Sequence, residues 1–254
     1  MERAFITGRG LITPIGNNLA ANEAALRAGK CGIVQVPDFV EHKLSCEVGG
    51  LIDGPLETEL IDRKKLRFCP PVGVMSVIAA QEAFAEAGLP LEELRERRIA
   101  IIGGVAGGNY VEVFNEADGY ICSDYRLRNV SPYSVPRVMP SSAISNLSLI
   151  FGITGESYDI STACASSAIS IMVGTRLIRS GQYDIVLAGG AEQIDWVQAL
   201  GFCACRALSR KYNETPQLAS RPFDRDRDGF VLAAGAAYVV LESERSCRAR
   251  GVRP

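Results

Sequence analysis

Short apolar runs recur along the chain at residues 4–6, 99–105, 157–160, 185–188 and 238–241, and each reads as a buried strand. Two of them lead straight into paired glycines, Gly103-Gly104 and Gly189-Gly190. Helical stretches lie between the runs. The stretch 19–28 follows Asn17-Asn18, residues suited to capping a helix. The stretch 72–87 follows Pro70-Pro71 and stops at Gly88, with Gln81, Glu82 and Glu86 left for a polar face. The stretch 141–151 is short and apolar and ends at Gly152. The stretch 165–180 is small and aliphatic almost all round, which predicts a buried helix ending at Gly181. Apolar strands separated by helices predict an α/β sheet covered on both faces.

Two segments resist this pattern. Residues 109–140 hold three prolines and scattered aromatics and read as an irregular loop, either a surface excursion or a source of substrate and partner contacts. Residues 221–228 alternate in charge and predict a salt-bridged loop.

Composition narrows the function classes. With 254 residues, 47% hydrophobic, 22% charged and a net charge of −2, the chain is globular and carries no footprint for a nucleic-acid backbone. No run of about 18 apolar residues predicts a membrane span. The opening MERAFITGRG lacks the pattern of a signal peptide, so the expected compartment is the reducing cytoplasm, with free thiols. Eight cysteines form no CxxC pair, against a zinc ribbon. The one histidine, His42, excludes any site built on two imidazoles of this chain.

The chemically informative run is Asp159-Ile160-Ser161-Thr162-Ala163-Cys164-Ala165-Ser166-Ser167. A strand ends near Ser161 and a helix begins near Cys164, with small residues suited to a tight elbow. A thiol at a helix N-terminus meets the positive end of the dipole, which favours a thiolate. The unpaired N–H groups there can bind a developing oxyanion. The alternative is a cysteine that serves as a small buried hydrophobe. A dinucleotide site is a weaker reading, because Gly8-Arg9-Gly10 lacks the third glycine and meets Pro14, and the glycines at 103–108 form no GxGxxG.

STACASSA, DIVLAGGAEQ and RPFDRDRDGFV, in that order, resemble the β-ketoacyl-acyl-carrier-protein synthases, condensing enzymes of the thiolase superfamily. ITGRGLITPIGNN, LIDRKKLRF and ALSRKYNETPQLASRPFDRDRDGF are most similar to the synthase I type. The resemblance runs from Arg3 to Gly251. It implies an N-terminal synthase domain over 1–251: the first half of a thiolase-like fold, a mixed five-stranded sheet with flanking helices. By resemblance, Cys164 is the nucleophile that takes an acyl chain from a carrier-protein phosphopantetheine thioester. Its own N–H is one oxyanion donor. Gly108 lines the acyl pocket, and Phe202 and Phe230 are aromatic pocket positions. No cofactor is implied beyond the phosphopantetheine that the substrate carries. The implied partners are an acyl carrier protein and a second condensing subunit, as homodimer or heterodimer.

The family's catalytic histidines and lysine belong to the second half, which these residues do not supply. His42 matches no catalytic position and is expected on a surface or loop. The expectation is a chain able to support acyl transfer but not decarboxylative condensation, or a non-enzymatic partner of a full-length synthase. Such a half should expose apolar helices and associate or dissolve poorly. Arg206 stands where relatives usually have glycine, and alanines replace glycines in VLAAGAAYVVLE.

Overall fold

The structure, a computed structural model, describes residues 2–56 and 58–252. Its strands are β1 (Ala4–Ile12), β2 (Ile33–Gln35), β3 (Val48–Gly50), β4 (Ile99–Gly103), β5 (Ser157–Asp159), β6 (Ile185–Glu192) and β7 (Gly235–Ser243). Its α-helices are α1 (Leu19–Arg27), α2 (Pro37–Glu41), α3 (Arg63–Leu66), α4 (Pro71–Glu86), α5 (Tyr110–Cys122), α6 (Ser134–Val138), α7 (Ser142–Phe151), α8 (Ser166–Arg179), α9 (Trp196–Ala204) and α10 (Glu244–Ala249).

Five strands form one mixed sheet in the order β1-β7-β6-β4-β5. β4 runs parallel to β5 and β6, whereas β7 is antiparallel to β1 and β6. Alternation along each strand feeds two cores, as the pleat requires. Ile99, Ile101, Ile185, Leu187, Tyr238 and Val240 face α4 and α7. Ala100, Ile102, Val186, Ala188 and Leu241 face Leu177 and Ile178 of α8. The sheet is thus covered on both faces, as the apolar runs predict. β2 and β3 form a separate hairpin-like pair.

The helix punctuation holds. Asn18 accepts the Ala21 N–H at 2.8 Å and caps α1. Gly152 follows α7 in the left-handed region, at φ 67°. The glycines of β1 have a packing role: a Cβ at Gly8 or Gly10 would lie 2.0 Å from the carbonyl of Ala83 or Ala79, so α4 seats directly on β1.

Three expectations need correction. The strands β1, β6 and β7 run several residues beyond their apolar cores, because small residues at their ends keep pairing, as at Gly189 and Gly190 opposite Tyr238 and Ala237. Residues 109–140 are mostly helical, holding α5, α6 and a 3-10 turn at Leu127–Asn129. They do lie on the surface, since no residue of α5 or α6 is buried. α8 is buried along one stripe only, Ser166, Ser170, Gly174, Leu177 and Ile178, and Met172 on its other side is exposed. The sheet covers one face of that helix, and nothing else among the described residues covers the other. Exposed apolar side chains also mark α5, among them Val113, Phe114 and Ile121. The loop at 221–228 carries two ion pairs, Arg221–Asp224 at 3.9 Å and Arg225–Asp226 at 3.7 Å. Asp228 instead accepts from Ser209 Oγ and the N–H groups of Arg210 and Lys211.

Candidate active site

β5 ends at Asp159 and α8 begins at Ser166, so Cys164 sits on the elbow between them and is exposed. Ala163 takes a left-handed φ of 50°, which turns the chain sharply. Ser166 locks the turn: its Oγ donates to the Ala163 carbonyl at 2.6 Å and accepts the Thr162 N–H at 2.9 Å. Two glycines let this elbow rest on the sheet. A Cβ at Gly104 would lie 2.4 Å from the Ser166 carbonyl carbon, and one at Gly190 would lie 2.2 Å from Ser167 Oγ.

Cys164 lines a cleft of about 430 Å³ together with Phe202, Phe230, Ser167, Glu192 and Gln198. The rings of Phe202 and Phe230 meet edge to face, with centroids 5.3 Å apart, and form an apolar wall. The structure therefore brings together three of the four residues singled out in the sequence. Gly108 is not among the residues lining this cleft. A Cβ there would lie 2.6 Å from the Val138 carbonyl, so its lack of a side chain admits the end of α6.

Two carboxyls stand at the carboxyl ends of the strands that lead to the site, Glu192 lining the cleft and Asp159 at the end of β5. Burial pushes Asp159 up to about 6, partly offset by the Val105 N–H that it accepts at 3.0 Å, with nearby Glu192 adding to the rise. Glu192 is also raised by burial, while the N–H groups of Ala106 and Gly107, at 2.9 and 3.4 Å, pull it down. Glu192 Oε1 and Gln198 Oε1 are buried with no hydrogen-bond partner. Neither Asp159 nor Glu192 stood out as a site candidate in the sequence. The available signal was an acidic residue at the carboxyl end of an apolar strand, where ligands of open α/β sheets gather.

His42 lies outside the cleft. It caps α2 and stacks on Trp196, with ring centroids 4.0 Å apart and planes within 6°. Its Nδ1 lies 2.8 Å from the Asp38 carbonyl oxygen. All eight cysteines are free, and burial pushes the Cys69 thiol up to about 12, which keeps it inert. Among the described residues, no group of His, Cys, Asp and Glu side chains could hold a metal ion. No described helix is long and apolar enough to cross a membrane.

Residues 1–246 match the β-ketoacyl synthase N-terminal domain. The chain belongs to the β-ketoacyl synthase family. It is 39% identical to 3-oxoacyl-[acyl-carrier-protein] synthase 1 of Haemophilus influenzae over 254 residues, covering all of this chain and 62% of that protein. It is 40% identical to the Escherichia coli K12 protein of the same name, covering 99% of this chain and 62% of the other. The chain thus spans about three fifths of the length of these curated relatives. Among solved structures, a β-ketoacyl synthase from Burkholderia phymatum superposes with a TM-score of 0.90 at 31% identity, over all of this chain and 62% of that one. The ishigamide ketosynthase/chain length factor superposes with a TM-score of 0.87 at 28% identity, over 99% and 61%. The mixed sheet with its flanking helices is accordingly the N-terminal part of the thiolase-like synthase fold.

Proposed function

We propose that this β-ketoacyl synthase chain carries the acyl-transfer nucleophile of a condensing enzyme of fatty-acid or polyketide synthesis, acting in the cytoplasm. The reading rests on one observation: an exposed cysteine on a strand-to-helix elbow opens into a cleft walled by Phe202 and Phe230. Cys164 Sγ attacks the acyl carbonyl of a phosphopantetheine thioester borne by an acyl carrier protein. The carrier's sulfur leaves as thiol and takes the proton, and an acyl-cysteine thioester remains. The Cys164 N–H supplies one oxyanion donor. Phe202 and Phe230 offer apolar surface to the chain being transferred, and the site needs no resident cofactor.

Condensation would follow at the same thioester. Malonyl on a carrier loses CO2, its α-carbon attacks the acyl carbonyl, and Cys164 leaves as thiolate and takes a proton from water. That step calls for imidazoles to steady the enolate, as in the family's second half. His42, stacked on Trp196 outside the cleft, is not placed to supply one. The chain would therefore act together with that half or with a condensing subunit, as homodimer or heterodimer.

Incubation with an acyl-carrier-protein thioester, followed by peptide mass spectrometry, tests the assignment. The acyl adduct is expected on Cys164. Equal labelling of the exposed Cys31 would remove its support. A second reading, a non-enzymatic partner subunit, is favoured by the uncovered apolar side chains of α5 and α8. It predicts co-elution with a full-length synthase and no acyl adduct.

A further inference from the structure

The loop after β4 passes between the end of β6 and the elbow, and it is gripped from both sides. On the β6 side, Glu192 Oε2 accepts the N–H groups of Ala106 at 2.9 Å and Gly107 at 3.4 Å. Ala191 N–H donates to the Gly104 carbonyl at 3.2 Å. On the elbow side, Ser161 Oγ lies 3.4 Å from the Ala106 carbonyl, which it can donate to. Gly104 packs against the backbone of Ser166 and Ser167, the first turn of α8. Ala106, Glu192 and Cys164 all line the same cleft. A shift of Ala106 therefore shifts both the cleft wall and the seat of the elbow.

We propose that Glu192 is a positioning residue for the nucleophilic elbow, its carboxylate fixing Ala106 and Gly107 and thereby the place of Cys164 in the cleft. The proposal rests on the reading of Cys164 as nucleophile. Glu192 touches no reacting atom in this scheme and acts through the loop. The cost of keeping it is visible: Glu192 Oε1 is buried with no hydrogen-bond partner. Two backbone N–H groups in an irregular loop need an acceptor, and the end of β6 is where one can be supplied.

The test is the rate of alkylation of each cysteine by iodoacetamide, which needs no acyl donor and so reads the elbow even if acyl transfer by Cys164 fails. Exposed Cys31 and Cys122 serve as internal references, and buried Cys46 and Cys69 report loss of the core. Glu192→Ala is expected to slow Cys164 by about tenfold relative to Cys31 and Cys122, the fold-change that corresponds to one lost hydrogen bond to a charged group. Cys46 and Cys69 should stay protected. Glu192→Gln, which keeps an acceptor for both N–H groups, should restore most of the lost rate. An unchanged Cys164 rate in Glu192→Ala, or a loss in Glu192→Gln as large as in Glu192→Ala, overturns the proposal. Should Glu192→Ala expose Cys46 and Cys69, Glu192→Asp takes its place. Its carboxylate, one methylene shorter, should show the same selective loss at Cys164, and a wild-type rate there overturns the proposal equally.

Discussion

Asp159 gives a pH-dependent handle on the strand that leads into the elbow. Its carboxyl lies at about 6 in the fold, against an ordinary value of 3.8, chiefly because it is half-buried. Between those values the folded chain keeps a proton that the unfolded chain has released. Stability from this group is therefore full below about pH 3.8 and falls as pH rises through about 6. At about 1.4 kcal/mol per pH unit, the gap corresponds to a ceiling of about 3 kcal/mol at neutral pH. Partial exposure screens the charge, which brings the expected cost to about 1–2 kcal/mol. Asp159→Asn removes the charge and keeps an oxygen for the Val105 N–H. Urea denaturation of both proteins at pH 4, 5, 6 and 7 reads the difference, in which the other carboxyls cancel. The two should match near pH 4, and the Asn variant should be more stable by about 1–2 kcal/mol above pH 6. A difference flat with pH, or an Asn variant less stable at pH 7, refutes the reasoning.

Three further outcomes follow from single contacts. Arg250 pairs with fully buried Glu242 at 2.9 and 3.0 Å and also donates to the carbonyls of Ala87 and Gly88. Arg250→Ala should cost about 3–5 kcal/mol in urea denaturation, because it strands a buried carboxylate. Arg206 occupies φ 56° just past the end of α9, where its N–H bonds the Cys203 carbonyl. Arg206→Gly should relieve about 1 kcal/mol of left-handed strain and raise Tm by about 2–4 °C by calorimetry. Gly190→Ala would set a methyl 2.2 Å from the Gly104 carbonyl oxygen and Ser167 Oγ. It should destabilise by about 1–3 kcal/mol and slow adduct formation at Cys164, read by denaturation and mass spectrometry.

β4 and β6 were legible because they are buried on both faces and so read as continuous apolar runs. The true ends of β1, β6 and β7 were not, since glycine and alanine carry pairing without carrying hydrophobicity, as β6 does through Gly189, Gly190 and Ala191. The elbow was legible in the small residues around Cys164, and the aromatic wall came from the family resemblance. Residues 109–140 misled because the prolines at 132, 136 and 140 made the whole segment read as irregular, although Tyr110, Val113, Phe114, Ala117 and Ile121 of α5 recur at helical spacing. The assignment of Gly108 to the acyl pocket came from the resemblance alone, and a Cβ there would lie 2.6 Å from the Val138 carbonyl oxygen. Glu192 stood inside a recognised motif without a role, because backbone N–H groups of an irregular loop leave no mark on the sequence.

The single histidine lies apart from the cleft that Cys164 lines. His42 stacks on Trp196 at the start of α9, and Phe202 stands six residues further along the same helix. At 1.5 Å per residue the two positions are about 9 Å apart along the axis. Phe114 meets the edge of Trp196 as well, at 4.9 Å, so the stack joins α2, α5 and α9. The imidazole thus braces the helix that carries the cleft wall and is not one of the cleft's own residues. Under the proposed function, acyl transfer would draw on Cys164, its elbow and that wall, all within the described residues. Enolate stabilisation would draw on imidazole, and the only one in this sequence is committed to a stack on Trp196. On that reading the two half-reactions fall on different sets of residues, and a thioester at Cys164 should form and persist wherever the second set is withheld.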